Sequence, residues 1–190
     1  MDELYSILNF IKEVERLKNI TRTAWTSEGK QESVAEHSWR LAVFALSLSE
    51  YFPEADMGKV LGMCIIHDFG EIYEGDVSAK FESDPDGKFR READAVSSLV
   101  KYLPDSLKLR LTDLWNEYNA AGTLEAKLVK ALDKLETIMQ HNQGSNPSDF
   151  DYEFNLSYGK SYMDFNTVIK DIRELVDSET REKCKWESEN

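Results

Sequence analysis

The chain has 190 residues, enough for one domain with a substantial core. Asp+Glu number 36 against 23 Lys+Arg, a net charge of -13 that argues against clamping a nucleic acid polymer, for which a basic stripe is the expected footprint. A small anionic substrate held by a metal and one or two local cations stays open. Cys64 and Cys184 lie far apart with no CxxC pair, so neither a thiolate zinc site nor a disulfide framework is expected. No apolar run approaches the roughly 20 residues of a membrane helix. Met1-Asp2-Glu3-Leu4 lacks the basic start and long apolar run of a signal peptide, so the expectation is a cytoplasmic protein with no membrane partner.

Leu4, Ile7, Leu8, Ile11, Val14 and Leu17 recur at helical spacing and predict a first amphipathic helix. The polar segment from Asn19 to Ser33 reads as a loop carrying Arg22, Trp25 and Gly29. Ser33 stands three residues before Glu36, a capping-box pattern that opens a helix with Leu41, Phe44, Ala45 and Leu48 inward. The run Val60-Leu61-Gly62-Met63-Cys64-Ile65-Ile66 is a third, central helix leading to His67. Asp76 to Gly87 reads as a polar loop, and Arg91 to Leu103 as the next helix. Further helices follow over Leu107 to Tyr118, Leu124 to Met139, and Phe165 to Leu175. No long period-2 run and no internal repeat occurs, so the fold class is all-α. One domain is expected over residues 1–180, with a charged, fraying tail over residues 181–190.

His67-Asp68-Phe69-Gly70-Glu71 places a histidine and carboxylates directly after that apolar run, with Gly75-Asp76 close behind. Burying such groups costs several kcal/mol each unless something pairs them. His37 sits in the first turn of the second helix, and Asp133 lies between Leu132 and Leu135 in the most apolar-faced helix. Two imidazoles and two carboxylates from three helices suit one divalent metal, with Mn, Co, Fe or Zn more natural than Ca. Glu71 stands three residues after Asp68, so a continuing helix puts both on one face. The bland reading of His67-Asp68 alone, a helix end bonded to backbone, loses ground once His37, Asp133, Glu71 and Asp76 are counted together. His141 reads as structural or exposed, and Lys127 and Lys130 as solvated.

Several segments together resemble the HD phosphohydrolase superfamily, and within it the HD domain-containing protein 2 and 5'-deoxynucleotidase family. They are Arg22-Thr23-Ala24-Trp25, Glu32-Ser33-Val34-Ala35-Glu36-His37-Ser38, His67-Asp68-Phe69-Gly70-Glu71, Gly75-Asp76, Leu114-Trp115-Asn116-Glu117-Tyr118 and Glu125 through Asp133. The resemblance runs from about Phe10 to about Phe165. It implies a helical HD domain with His37, His67, Asp68 and Asp133 as ligands of a divalent cation (Mn, Co, Fe, Zn or Mg). It implies catalytic roles for Glu71 and Asp76 on the attacking water and the leaving group. Arg22 and Trp25 correspond to a nucleotide-contacting arginine and tryptophan, which are adjacent in some members and separated by two residues here. Lys80 and Glu117 are further substrate-binding expectations, for phosphate and sugar. The implied reaction is hydrolysis of a nucleoside 5'-monophosphate, with a deoxynucleotide favoured, by a homodimer. Two alternatives stand beside it: hydrolysis of another phosphate (a cyclic nucleotide, a triphosphate or an alarmone), and a metal- and nucleotide-binding protein without turnover.

Overall fold

Leu128, Leu132, Leu135 and Ile138 repeat at helical spacing and are all fully buried, so one helix runs through the middle of the molecule. The computed structural model describes residues 1–77, 80 and 84–189. Eight α-helices occur among the described residues: α1 (Asp2–Val14), α2 (Val34–Ser47), α3 (Met57–Ile66), α4 (Pro85–Val100), α5 (Asp105–Ala120), α6 (Leu124–Gln143), α7 (Tyr152–Ser157) and α8 (Thr167–Glu189). The central helix is α6, and α2, α3, α5 and α8 pack around it. Leu41 of α2 and Val60, Met63 and Cys64 of α3 meet it in a fully buried cluster. Each large side chain taken out of water there contributes roughly 1.5–3 kcal/mol.

The capping box forms as expected. Ser33 Oγ accepts from the Glu36 amide at 3.2 Å and the Ser33 amide donates to Glu36 Oε2 at 2.8 Å, fixing the start of the helix that carries His37. Three expectations about element bounds are corrected. The segment from Asn19 to Ser33 is not only a loop, because β1 (Thr21–Trp25) and β2 (Gln31–Ser33) pair antiparallel with Thr21 opposite Ser33. Helix α4 starts at Pro85, ahead of Arg91, because the Asp84 carboxylate caps the Gly87 amide at 3.0 Å and proline suits the first turn. At the other end of the chain α8 does not stop near Leu175 but continues to Glu189, so the charged tail is helical over residues 181–189.

A further departure from a simple helical run lies at the most informative stretch. Helix α3 ends at Ile66, and His67–Glu71 is a 3-10 turn in which Asp68 leaves helical geometry at φ -95° and ψ 15°. The tighter winding still aligns positions three apart, so Asp68 and Glu71 stay on one side. The turn is packed hard against α4: a Cβ on Gly70 would lie 2.5 Å from Glu92 Cβ, so only glycine fits. Gly75, at φ +88°, then takes the left-handed step that turns the chain toward Asp76.

Candidate metal centre and adjoining cavity

Each of the two site histidines is held by one ring nitrogen and presents the other. His37 Nδ1 contacts Glu136 Oε2, and His67 Nδ1 lies 3.0 Å from the Cys64 carbonyl oxygen. A proton on each Nδ1 leaves a lone pair on each Nε2. Those two Nε2 atoms are buried and without hydrogen-bond partners among the described residues. Around them stand carboxylate oxygens: His67 Nε2 is 3.0 Å from Asp68 Oδ2, and His37 Nε2 is 3.3 Å from Asp133 Oδ1. The cross distances, His37 Nε2 to Asp68 Oδ2 and His67 Nε2 to Asp133 Oδ1, are both 3.9 Å. Neighbouring ligands at about 2.1 Å from an ion and at right angles are about 3.0 Å apart, so this spacing fits a divalent cation. His37, His67 and Asp133 can hold a metal ion, one donor atom of each lying within 4.8 Å of the others. The orphaned imidazole nitrogens are the observation that makes the fit specific, since buried polar atoms ordinarily find partners.

The surroundings orient these donors. Asp133 Oδ2 accepts from the Tyr118 hydroxyl at 2.7 Å and from Lys134 Nζ at 2.8 Å, which leaves Oδ1 for the centre. Burial alone would raise the Asp133 carboxyl; Lys134 and the two histidines outweigh it and hold the group well below the usual carboxylate range. Burial acts the same way on Asp68, and there His67 overcomes it and holds the carboxyl low. Trp115 Nε1 donates to the His67 carbonyl at 3.1 Å and pins the backbone of the 3-10 turn. A second acidic group, Glu32, His37 and Glu136, is also close enough for an ion. Arg22 fills that role: its guanidinium lies 2.8 Å from Glu32 Oε2 and 3.9 Å from Glu136 Oε2.

A cavity of about 180 Å³ opens beside the centre, with Asp68, Glu71, Asp76 and Asp133 on its wall. Arg22, Lys88, Lys130 and Lys134 line it too, so anionic and cationic groups face one space. Burial pushes the Glu71 carboxyl well above its usual value, and the charges of Asp68 and Asp76 add to that. Lys88 Nζ lies 4.0 Å from Glu71 Oε1 and opposes the shift. Arg22 Nη2 donates to Thr137 Oγ1 at 3.0 Å; burial works against its charge, but the Glu136 and Glu32 carboxylates outweigh burial and keep the guanidinium ionised.

The structure thus brings His37, His67, Asp68, Asp133, Glu71, Asp76 and Arg22 to one place. It does not bring Trp25, Lys80 or Glu117 to the cavity wall. The Trp25 ring stands edge-to-face on Phe150 with centroids 6.3 Å apart. Lys80 Nζ pairs with Asp151 Oδ2 at 2.6 Å at the surface. Glu117 accepts from Lys59 and from Thr123, both at 2.8 Å, and lines a different cleft. The reason is helical phase: Tyr118, about 100° further round α5, is the side chain that reaches Asp133.

Other side chains at the site go unread in the sequence. Glu136, Thr137 and Gln140 follow Asp133 at intervals of three, four and seven, and all are buried, so a polar stripe shares α6 with its apolar faces. That periodicity is the signal by which Glu136 can be found. Lys130 is not solvated but half-buried at the cavity wall, and His141 is buried with Nδ1 2.9 Å from Asn155 Oδ1.

A helical domain that aims two histidines and two aspartates from three elements at one buried point is a metal-holding enzyme scaffold. Residues 14–173 match the HD domain family, and the chain belongs to it. It is 33% identical over 140 residues to the human protein named 5'-deoxynucleotidase HDDC2, covering 73% of this chain and 68% of that one. The Xenopus laevis protein of the same name is 37% identical over 137 residues, covering 71% and 67%. A crystal structure described as a predicted metal-dependent phosphohydrolase from Magnetospirillum magnetotacticum MS-1 superposes with a TM-score of 0.80 at 27% identity, covering 95% of this chain and 97% of that one.

Proposed function

We propose that this protein is a metal-dependent 5'-nucleotidase that hydrolyses deoxynucleoside 5'-monophosphates to nucleoside and phosphate. The observation that carries the reading is the juxtaposition of two orphaned imidazole nitrogens and two aspartates with a buried glutamate, Glu71, on one cavity wall. The relatives named 5'-deoxynucleotidase support the substrate class.

His37, His67, Asp68 and Asp133 would hold one divalent ion, with Mn, Co, Fe, Zn and Mg all compatible with that donor set. Such an ion supplies charge neutralisation at a phosphoryl oxygen and a lowered pKa for a nearby water. Arg22 sits at the same wall and neutralises charge that develops on the phosphoryl oxygens. Glu71, whose carboxyl favours the proton more than an exposed glutamate does, takes the proton of the attacking water as its oxygen bonds to phosphorus. The bond from phosphorus to the 5'-oxygen breaks, and Asp76, on the turn beyond Gly75, supplies the proton to that leaving oxygen. The products are the nucleoside and inorganic phosphate.

A homodimer belongs to this reading. Leu4, Leu8 and Ile11 on α1 and Trp39, Val43 and Leu46 on α2 form exposed apolar stripes at helical spacing, which supports association of like chains. A cytoplasmic location belongs to this reading as well.

The test is phosphate release from ribo- and deoxynucleoside mono-, di- and triphosphates and cyclic nucleotides, using metal-stripped protein with Mn, Co, Fe, Zn or Mg restored. Release confined to 5'-monophosphates, deoxy forms first, is the expected result. Release from triphosphates or cyclic nucleotides alone overturns the substrate, and no release with any ion overturns the enzyme reading.

A further inference from the structure

Four cations line the cavity, and three of them already have anionic or polar partners. Arg22 is bound to Glu32 and Thr137. Lys88 lies 3.4 Å from Glu92 Oε1, and Lys134 lies 2.8 Å from Asp133 Oδ2. Lys130 differs. Its ammonium sits 3.7 Å from the centroid of the Tyr118 ring, and among the described residues it forms no ion pair. Of the four cations on this wall, it alone stands outside a carboxylate pair among the described residues.

Placement gives that ammonium a direction. Lys130 precedes Asp133 by three residues on α6, so the two side chains leave the same face of one helix and reach the same cavity. Tyr118 fixes both: its hydroxyl holds Asp133 and its ring carries Lys130. A cation over an aromatic face keeps its N–H groups available, since the ring attracts charge without accepting strong hydrogen bonds. Arg22 enters the cavity from the β-hairpin, Lys130 from α6.

We propose that Lys130 is a substrate-binding residue whose ammonium takes a non-bridging oxygen of the phosphoryl group. The assignment rests on the nucleotidase reading for its substrate. A compact point charge with unused donors fits a phosphoryl dianion better than a base or a sugar hydroxyl.

The experiment titrates Mn-loaded protein with inorganic phosphate by calorimetry and measures steady-state hydrolysis of deoxynucleoside monophosphates, for native protein, K130M and K130R. K130M keeps the apolar stem and removes the charge. Metal content of K130M is expected to equal the native value, with phosphate affinity falling and KM rising about 10- to 100-fold, the scale of one lost charge-assisted hydrogen bond. K130R is expected to recover most of both, which a purely structural role would not produce. Phosphate affinity and KM of K130M within about twofold of native overturn the proposal, as does an equal defect in K130R and K130M. Should K130M fail to fold by circular dichroism, K130Q replaces it under the same criteria. If the native protein hydrolyses no nucleotide, the nucleotidase reading falls, while the phosphate titration still decides the role of Lys130.

Discussion

Glu136 Oε2 meets His37 Nδ1 in a fully buried contact, and that contact decides which imidazole nitrogen faces the metal centre. The carboxylate fixes the tautomer and makes Nε2 the better donor. Glu136→Gln keeps the shape and removes the charge. It is expected to weaken metal binding roughly 10- to 100-fold. Competition with a chromogenic chelator measures this directly, and unaltered affinity would show that His37 orients itself.

Glu71 stands apart from the donors but shares their wall. Glu71→Gln is expected to retain metal content and phosphate binding while phosphate release slows about 100- to 10,000-fold, the range for a lost general base. Metal analysis alongside a single-turnover assay separates the two effects. Loss of the metal together with the rate would make Glu71 a donor instead.

The pH dependence of anion binding follows from Lys130. Burial lowers the pKa of its ammonium and Lys134 lowers it further; Asp133, Asp68 and Glu92 pull the other way, leaving it at about 8. The charge is present below that value and lost above it. Phosphate, a dianion once above about pH 7, should bind progressively more weakly as pH rises through about 8. Calorimetry in the Glu71→Gln background removes the titration of Glu71 from the profile. Lys130→Arg should flatten this limb, because a guanidinium stays charged throughout. A limb that survives in Lys130→Arg would have to come from another group.

Arg173 clamps α8 to the rest of the fold. Its Nε lies 2.7 Å from Asp177 Oδ1, and its two terminal nitrogens donate to the Tyr158 carbonyl at 2.6 Å and the Asn155 carbonyl at 2.8 Å. Arg173→Ala strands a buried carboxylate and two carbonyls, a loss of about 3–5 kcal/mol. Thermal melting should show it as a fall of roughly 6–20 °C, at about 2–4 °C per kcal/mol for a chain this size. A fall under about 2 °C would mean that water replaces the guanidinium.

Much of this architecture is readable in the residues because helices write themselves locally. The apolar spacing of α6 and the Ser33–Glu36 box need only neighbours in sequence, and both appear as expected. The hairpin does not announce itself: its strands have five and three residues, and β1 alternates too little for a period-2 pattern. The start of α4 is hidden because Pro85 and Gly87 look like breakers, although Asp84 turns them into a capped first turn. At the site, His37, His67, Asp68 and Asp133 stand out as chemically costly to bury. Glu136 and Lys130 do not, because a charge on a helix normally means solvent. Only the packing of elements distant in sequence shows that α6 has almost no solvent side. Glu117 shows the opposite case, lying one step of helical phase from Tyr118, the side chain that contacts Asp133.

Helix α6 carries Lys130, Asp133, Lys134, Glu136, Thr137 and His141, and it is also the axis of the core. Slippage of that helix by one residue would rotate every one of these groups by about 100° at once. Partial melting that spares the chemistry, or chemistry lost while the fold persists, therefore has no route through α6. On heating, catalytic inactivation and global unfolding should share one midpoint, so that the working lifetime of the enzyme is the lifetime of its fold.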